Sequence, residues 1–407
     1  MRTIDIFHRN KSLIYKLAFY LMVSAVMIVG LFKGVLSVSG SKDAQWYPAQ
    51  LLSQNVDIYH YYLANYNDWF MRSVPNYYFQ LYYMLQPFAS MSWDSFKVIW
   101  FLLNASILLL LLLLIKKDFG YNYRQMGLIF LPFFIGFPLL SVFTNGQSTI
   151  LILILIYLAW RYRENKILLP ILLSLITMKY SIGIPIVLGF LLMGYYRAVL
   201  ISGLLTLLFP LIYALQFNMN FLSAVFLPLK VSTDISADAL GGGPSDLMSL
   251  YGLFFDGPML GLNVLTISLG AFVILFSALA IKFRIDHKVI LICSVLLSLF
   301  GFYHNGHDYT LFLLVLPFVL RQKHYWLLYG YLLIFCLAPR MVRLLGLAMD
   351  EGIGVKEFMY NKYFVIFNVC FLISYFFLLL RKEIASKRKT VHRRLDQKEY
   401  NSEMTAA

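Results

Sequence analysis

The sequence predicts an all-α, polytopic membrane protein with about twelve transmembrane helices, and three observations carry this prediction. Of the 407 residues, 60% are hydrophobic and 13% are charged, whereas about 25% of residues are charged in a typical soluble domain. The mean hydropathy is +0.72. Apolar runs extend from residue 13 to residue 380 with no long polar block between them. A soluble globular enzyme is therefore excluded, and residues 1–380 are expected to form a single membrane-embedded unit.

The predicted helices follow one another along the whole chain. Several runs are shorter than the roughly 20 residues that a straight crossing needs, which indicates helices that end in a water-filled cavity. We expect twelve crossings, give or take two. The runs cover residues 13–36, 96–115, 126–143, 148–160, 167–178, 181–194, 198–216, 262–281, 289–302, 309–320, 325–339 and 363–380.

The net charge of +14 is explained by membrane topology. Twenty-four of the 34 Lys and Arg residues fall in the N-terminal tail, in alternate loops and in the C-terminal tail. Because cytoplasmic segments carry an excess of basic residues, we expect a multi-pass protein of the cell's inner (cytoplasmic) membrane with both termini in the cytoplasm. Residues 381–407 form a basic cytoplasmic tail, expected to be disordered from Asp396 to Ala407. The basic residues are thus explained without a nucleic-acid partner, and none is expected.

The two longest intervals between the apolar runs, residues 37–95 and 217–261, are outer loops in this topology. The first is expected to carry a short amphipathic helix with Asp43 at its start, where the helix dipole stabilises a carboxylate. The tyrosine-rich remainder is typical of a layer at the outer membrane interface. The second loop contains a Gly-Gly-Gly-Pro turn at 241–244 without the Lys-Ser/Thr of a P-loop.

Polar residues interrupt the apolar runs at five places, all on the outer side. An ionisable group at membrane depth costs about 2.5–3.5 kcal/mol and therefore marks a functional candidate. A single outer cavity has room for all five. The places are Asp43 after the first run, Gln147 in Asn145-Gly146-Gln147-Ser148-Thr149, Lys179, Asp246 with Ser249, and the segment His304-Asn305-Gly306-His307-Asp308.

Each candidate also has a purely structural interpretation. Gln147 is suited to capping a tight Asn-Gly turn, and Lys179 is long enough to reach the outer headgroups. The neighbouring His307 and Asp308 point in different directions on a helix and do not form a dyad by spacing alone. Asp43 is the strongest candidate, because it is acidic, follows the first helix directly and is surrounded by residues able to position a ligand.

Motifs between about residues 40 and 320 occur in the order of a known family. They are Asp43 with Tyr47, Asp57-Ile58-Tyr59, the aromatic Pro75 segment leading to Trp100 and Asn104, Gly146-Gln147-Ser148-Thr149, Met178-Lys179, Asp246 to Gly252, and Tyr303 to Pro317. Together they resemble glycosyltransferase family 87, polyprenyl-phosphate-dependent mannosyltransferases of the GT-C superfamily. Tyr180 stands where that family usually has proline, and Asp246 where asparagine is common.

The resemblance implies a GT-C-like integral membrane glycosyltransferase. It implies transfer of a hexose, with mannose expected, from a polyprenyl-phosphate donor to a lipid or glycan acceptor at the outer face, with inversion of the anomeric centre. Asp43 matches the family's first-loop aspartate and is implied as general base. His307 is implied either to bind the leaving phosphate or to donate a proton to it. Donor-phosphate or substrate binding is implied for Gln147, Lys179, Asp246, Ser249, His304 and Asp308.

Neither a metal nor a cofactor is implied, and the protein is expected to be a monomer. The first loop contains Asp43-Ala44-Gln45 where an Asp-x-Asp pair would hold a divalent ion. The three cysteines all lie in apolar runs and belong to no Cys-x-x-Cys or Cys/His cluster, which argues against a disulfide framework or a zinc site.

Two other functions fit a helical membrane protein with outward-facing polar groups. A transporter or flippase of lipid-linked sugars would bind the same molecules without chemistry. Such proteins usually contain internal repeats and ionisable groups reachable from both faces, and neither is seen here. A glycan polymerase of the O-antigen type would be expected to carry arginines in its large outer loops, yet residues 37–95 and 217–261 contain only Arg72.

Overall fold

The part of the chain that the structure describes contains helices and no β-strands, as the sequence predicts. The computed structural model describes residues 2–38, 40–65, 74–238, 259–301, 306–320, 322, 325–348 and 362–406. The α-helices in these ranges are α1 Arg2–Leu31, α2 Trp46–Ser53, α3 Ile58–Ala64, α4 Phe79–Leu85, α5 Trp93–Phe119, α6 Tyr123–Ile135, α7 Pro138–Asn145, α8 Thr149–Arg161, α9 Leu168–Ile176, α10 Tyr180–Leu192, α11 Tyr196–Gln216, α12 Phe221–Asp238, α13 Met259–Phe283, α14 His287–Gly301, α15 Phe312–Val319, α16 Tyr325–Ala348 and α17 Lys362–Ala406. A π-helical turn, Phe32–Leu36, extends α1, and 3₁₀ turns occur at Gln86–Phe88 and Gly306–Leu311.

Four described helical segments are long and apolar enough to cross a membrane: Ser12–Leu36, Trp93–Phe119, Tyr196–Gln216 and Tyr363–Lys387. Helices α6 and α7 make a fifth span if they are counted as one segment with a 61° bend. Shorter apolar helical stretches of 10–17 residues also occur, among them α8, α10, α14, the part Leu269–Phe283 of α13 and the part Tyr325–Ala338 of α16. These lengths fit a polytopic membrane protein, and the figure of twelve crossings stays a prediction.

Three segments differ from the sequence-based expectations. The helix in the first loop begins at Trp46, so Asp43 lies in the turn before it. The interval 217–261 begins with α12, because its first part, Phe221–Val231, is apolar enough to continue as a helix. The last helix continues to Ala406, through the stretch expected to be disordered, since Lys, Arg, Glu and Gln are good helix formers.

Five of the eight described tyrosines of the first loop are buried inside the protein rather than lying at its surface, which corrects the expectation of an interfacial layer. Tyr59 and Tyr82 are fully buried, and Tyr59 packs edge-to-face on Tyr213 of α11 with 5.7 Å between ring centroids. The Tyr213 hydroxyl donates to the carboxylate of Asp57 at 2.7 Å. Aromatic pairs of this kind stabilise by about 0.5–1.5 kcal/mol beyond the area they bury, so the loop is held firmly against α11.

The end of the first helix packs closely on α7. A Cβ atom at Gly34 would lie 2.4 Å from the carbonyl oxygen of Phe143, and one at Gly30 would lie 2.9 Å from the Phe143 Cβ. Only glycine permits this approach. It brings the segment after α1, which carries Asp43, next to the turn that follows α7.

Candidate functional site

The backbone itself fixes Asp43 beside the turn between α7 and α8. The Ser41 amide donates to the Thr144 carbonyl at 2.7 Å, and the Asp43 amide donates to the Asn145 carbonyl at 2.9 Å. Gly146 has a φ of +69°, and a Cβ there would lie 2.9 Å from the Cβ of Ala44. The left-handed conformation and the lack of space both require glycine. Two segments about one hundred residues apart in sequence therefore form one rigid corner.

The side chain of Gln147 joins this corner to the tyrosine-rich loop. Its Nε2 donates to Oδ2 of Asp43 at 2.9 Å, and its Oε1 accepts from the hydroxyl of Tyr77 at 2.8 Å. Gln147 and Tyr77 are buried, whereas Asp43 is half-buried. Because both the nitrogen and the oxygen of the Gln147 amide form hydrogen bonds, the orientation of the amide is fixed. The carboxylate of Asp43 therefore has a hydrogen-bond donor inside the protein.

A second cluster joins α8, the turn before α10 and the 3₁₀ turn Gly306–Leu311. The ammonium group of Lys179 donates to Oδ1 of Asp308 at 2.5 Å and to the Thr149 hydroxyl at 3.2 Å. The Thr149 hydroxyl donates in turn to the same oxygen of Asp308 at 2.9 Å. This closed triangle uses two of the three ammonium hydrogens of Lys179, so one donor remains for a ligand.

His307 lies at the edge of this triangle. Its Nε2 is 3.6 Å from Oδ1 of Asp308, and its side chain is 7% exposed. The two residues are adjacent in a 3₁₀ turn and face the same cluster, whereas spacing alone on an α-helix did not predict a dyad. The Thr310 hydroxyl donates to the His307 carbonyl at 2.7 Å and closes the turn.

Lys179 is a charged group in a buried setting. Burial by itself would lower the pKa of its ammonium, but the carboxylate of Asp308 outweighs burial, and the pKa of Lys179 is raised. Its side chain is 12% exposed and that of Asp308 is 1% exposed. Lys179 therefore remains protonated at neutral pH, and it pairs with Asp308 instead of extending towards headgroups.

The two clusters meet at Tyr77. The ammonium nitrogen of Lys179 lies 5.9 Å from the centre of the Tyr77 ring, and the hydroxyl of that ring donates to Gln147. The structure thus brings together five of the predicted site residues, namely Asp43, Gln147, Lys179, His307 and Asp308. The others, Asp246, Ser249 and His304, lie outside the described residues.

The sequence did not single out Tyr77 and Thr149 as site residues. Tyr77 was one of many tyrosines in a loop, and no pattern distinguished it from its neighbours. Thr149 was part of the Gly-Gln-Ser-Thr motif at a helix start, which was a usable signal. Its hydroxyl is fully buried and has both a donor and an acceptor role in the Lys179 triangle.

The arrangement offers a carboxylate and a cationic region at one end of the helices. Asp43 is the more accessible acid, and Asp308 is enclosed by its partners. A half-buried carboxylate with an internal donor is suited to accept a proton, and Lys179 with His307 is suited to stabilise an anion. No group of three or more His, Cys, Asp or Glu placed to hold a metal occurs among the described residues.

Comparison with known proteins yields no relative. No family model matches the chain, and neither a curated protein nor a solved structure matches it. The function must therefore be argued from the chemistry of the site and from the motif resemblance alone.

Proposed function

We propose that the protein is an integral membrane glycosyltransferase that moves a hexose, with mannose expected, from a polyprenyl-phosphate donor to a lipid or glycan acceptor. The reaction is placed at the outer face of the inner membrane and proceeds with inversion. The observation that carries the proposal is the continuous network from Asp43 through Gln147 and Tyr77 to Lys179. It supports the proposal because it connects a carboxylate, the proposed base, with an ammonium group, the proposed phosphate-binding cation.

In the proposed reaction, Asp43 is the general base. Its carboxylate takes the proton of the acceptor hydroxyl as that oxygen attacks the anomeric carbon of the donor. The bond between this carbon and the phosphate oxygen breaks at the same time, and the polyprenyl phosphate leaves with the bonding electron pair. General-base assistance of this kind contributes about 10²–10⁴-fold.

Lys179 and His307 support the leaving phosphate in this scheme. The third ammonium hydrogen of Lys179 is available to a phosphate oxygen, and His307 lies against the same cluster. Donors that are already in place when charge develops lower the barrier, because the site does not have to reorganise.

Asp308 has a positioning role here, in place of the substrate contact suggested by the resemblance. Its carboxylate accepts from Lys179 and Thr149 and is 1% exposed, and a carboxylate would repel a phosphate. It holds the ammonium group in one orientation and keeps it charged. The Gln147 amide has the matching role at Asp43.

The test is transfer of labelled sugar in membranes. Membranes containing the protein are incubated with radiolabelled polyprenyl-phosphate hexoses, mannose first, and the lipids and glycans are extracted and separated. A new labelled product, absent from membranes without the protein, is expected. A donor that crosses the bilayer unchanged, with no new product, would support the flippase alternative instead.

A further inference from the structure

A cavity with a polar wall lies at the opposite end of the helices from Asp43. It has a volume of about 300 Å³ and is bounded by the starts of α6 and α16. Arg124 at this end lies over Tyr15 of α1, whereas Gly34 packs on Phe143 at the Asp43 end. At 1.5 Å per residue, Tyr15 and Gly34 are about 30 Å apart along this helix. We call this cavity the Arg124 notch; Asn122, Arg124, Gln125, Leu128, Tyr325 and Trp326 line it.

The polar wall of the notch presents hydrogen-bond donors. Asn122 and Gln125 form a capping box, in which each side-chain oxygen accepts from the other residue's backbone amide at 3.0 Å. Their oxygens are thus used, while their NH₂ groups have no hydrogen-bond partner among the described residues. The guanidinium of Arg124 adds further donors, and the N-terminus of a 13-residue helix adds positive potential.

Three cations lie on the tyrosine rings near the start of α6. Lys116 and Lys16 lie over the ring of Tyr123, at 4.7 Å and 5.9 Å from its centre, and Arg124 lies 6.0 Å from that of Tyr15. None of these three cations forms an ion pair within the described part of the chain. By contrast, Arg161, on the same predicted side, is paired with Asp118. The notch therefore has an unbalanced positive charge.

The other wall of the notch is apolar and aromatic. Leu128 and the ring of Tyr325 line it, and the Trp326 side chain is 65% exposed beside it. Tryptophan is enriched where protein meets the membrane interface. A soluble phosphate would gain nothing from this wall, whereas a phospholipid would place its acyl chain there.

We propose that the Arg124 notch binds the phosphate headgroup of an anionic phospholipid. By charge distribution this end faces the cytoplasm, where basic pockets between transmembrane helices recognise such headgroups. Arg124, with the NH₂ groups of Asn122 and Gln125, contacts the phosphate, and Trp326 contacts the region just below it. The inference is independent of the activity proposed for the Asp43 site.

Native mass spectrometry of the full-length protein in detergent tests the proposal. The protein is titrated with phosphatidylglycerol and, separately, with phosphatidylcholine. We expect preferential retention of one phosphatidylglycerol, and an approximately fivefold or greater loss of affinity in Arg124→Gln, the scale of one basic residue near a membrane surface. Arg197→Gln removes an equal charge from an exposed position on the same predicted side and should bind like the wild type.

Two further experiments identify the ligand and the position at which it binds. Glycerol phosphate in excess should not displace the lipid; if it does, the ligand is a soluble phosphate and the lipid assignment is wrong. Brominated phosphatidylglycerol should quench tryptophan fluorescence in the wild type and less in Trp326→Phe. Equal lipid affinity in wild type, Arg124→Gln and Arg197→Gln would overturn the proposal.

Discussion

The side-chain amide of Gln147 donates to the carboxylate of Asp43 at 2.9 Å across 104 residues of sequence. This contact joins the loop after the first helix to the turn between α7 and α8. Since Gln147 also accepts from Tyr77, the amide cannot rotate without breaking one of two hydrogen bonds. Its consequence is a carboxylate held in one orientation at the centre of the proposed site.

Replacing Asp43 with asparagine should abolish most activity while preserving the fold. The substitution keeps the shape and removes the proton acceptor, so we expect turnover to fall by about 10² or more, the scale of general-base catalysis. Initial rates of sugar transfer in membranes with matched protein levels measure this effect. The control is Asp286→Asn, where the aspartate accepts from the Lys288 amide near the start of α14 and asparagine caps equally well. If Asp43→Asn retained the wild-type rate, Asp43 would have no part in the chemistry.

Replacing Gln147 with glutamate should move the pH dependence of activity. A second carboxylate beside Asp43 raises the pKa of one member of the pair. A base with a raised pKa is protonated, and thus inactive, up to a higher pH, so the acid limb of the rate profile should move upwards by about one pH unit or more. The uncharged variant Gln147→Met removes the hydrogen bond to Asp43 without adding a charge, so its acid limb should move upwards less than that of Gln147→Glu. An acid limb that stays in place in Gln147→Glu would argue against Asp43 as the titrating base.

The Lys179–Asp308 pair should show strong coupling in stability. Breaking a buried ion pair from one side costs about 3–5 kcal/mol, because a charge is left without a partner. Lys179→Met alone should therefore destabilise the protein strongly, and the double variant Lys179→Met/Asp308→Asn should recover much of the loss. Thermal unfolding followed by size-exclusion chromatography in detergent measures both. The double variant should remain poorly active, since the cation proposed to bind phosphate is missing; wild-type activity would remove Lys179 from the proposed site.

Cysteine labelling should place the Asp43 end outside the cell. His60 has a side chain that is 65% exposed, and Lys166 is exposed in the turn before α9. In a background without the three native cysteines, His60→Cys should react with an impermeant maleimide in intact cells. Lys166→Cys should react only after permeabilisation. The reverse labelling pattern would show that the topology is opposite to the predicted one, with the Asp43 end on the cytoplasmic face.

The sequence predicted the helical class and most helix positions, because a run of apolar residues in a membrane must pair its backbone hydrogen-bonding groups internally, as a helix does. It also indicated Asp43, Gln147, Lys179 and Asp308, since polar groups among apolar ones are costly. Their pairing was not predictable. Lys179 is long enough to reach headgroups or a carboxylate, and only the tertiary packing decides between them.

Other features depend on contacts that no local pattern encodes. Tyr77 joins the proposed site because its hydroxyl reaches Gln147 at the start of α8, and one tyrosine among many carries no distinguishing signal. The start of α2 at Trp46 follows from the hydrogen bonds that hold Ser41 and Asp43 to the α7–α8 turn. These bonds keep the segment before Trp46 out of the helix.

The central claim is that one site removes a proton from an acceptor and releases a lipid phosphate. The most direct measurement uses purified protein in liposomes with labelled polyprenyl-phosphate mannose and an acceptor, and counts both products while the anomeric configuration is determined by NMR. We predict one polyprenyl phosphate released for each sugar transferred, with inverted configuration, and loss of both products in Asp43→Asn. Donor that reaches the opposite leaflet intact, with no phosphate released, would contradict the account.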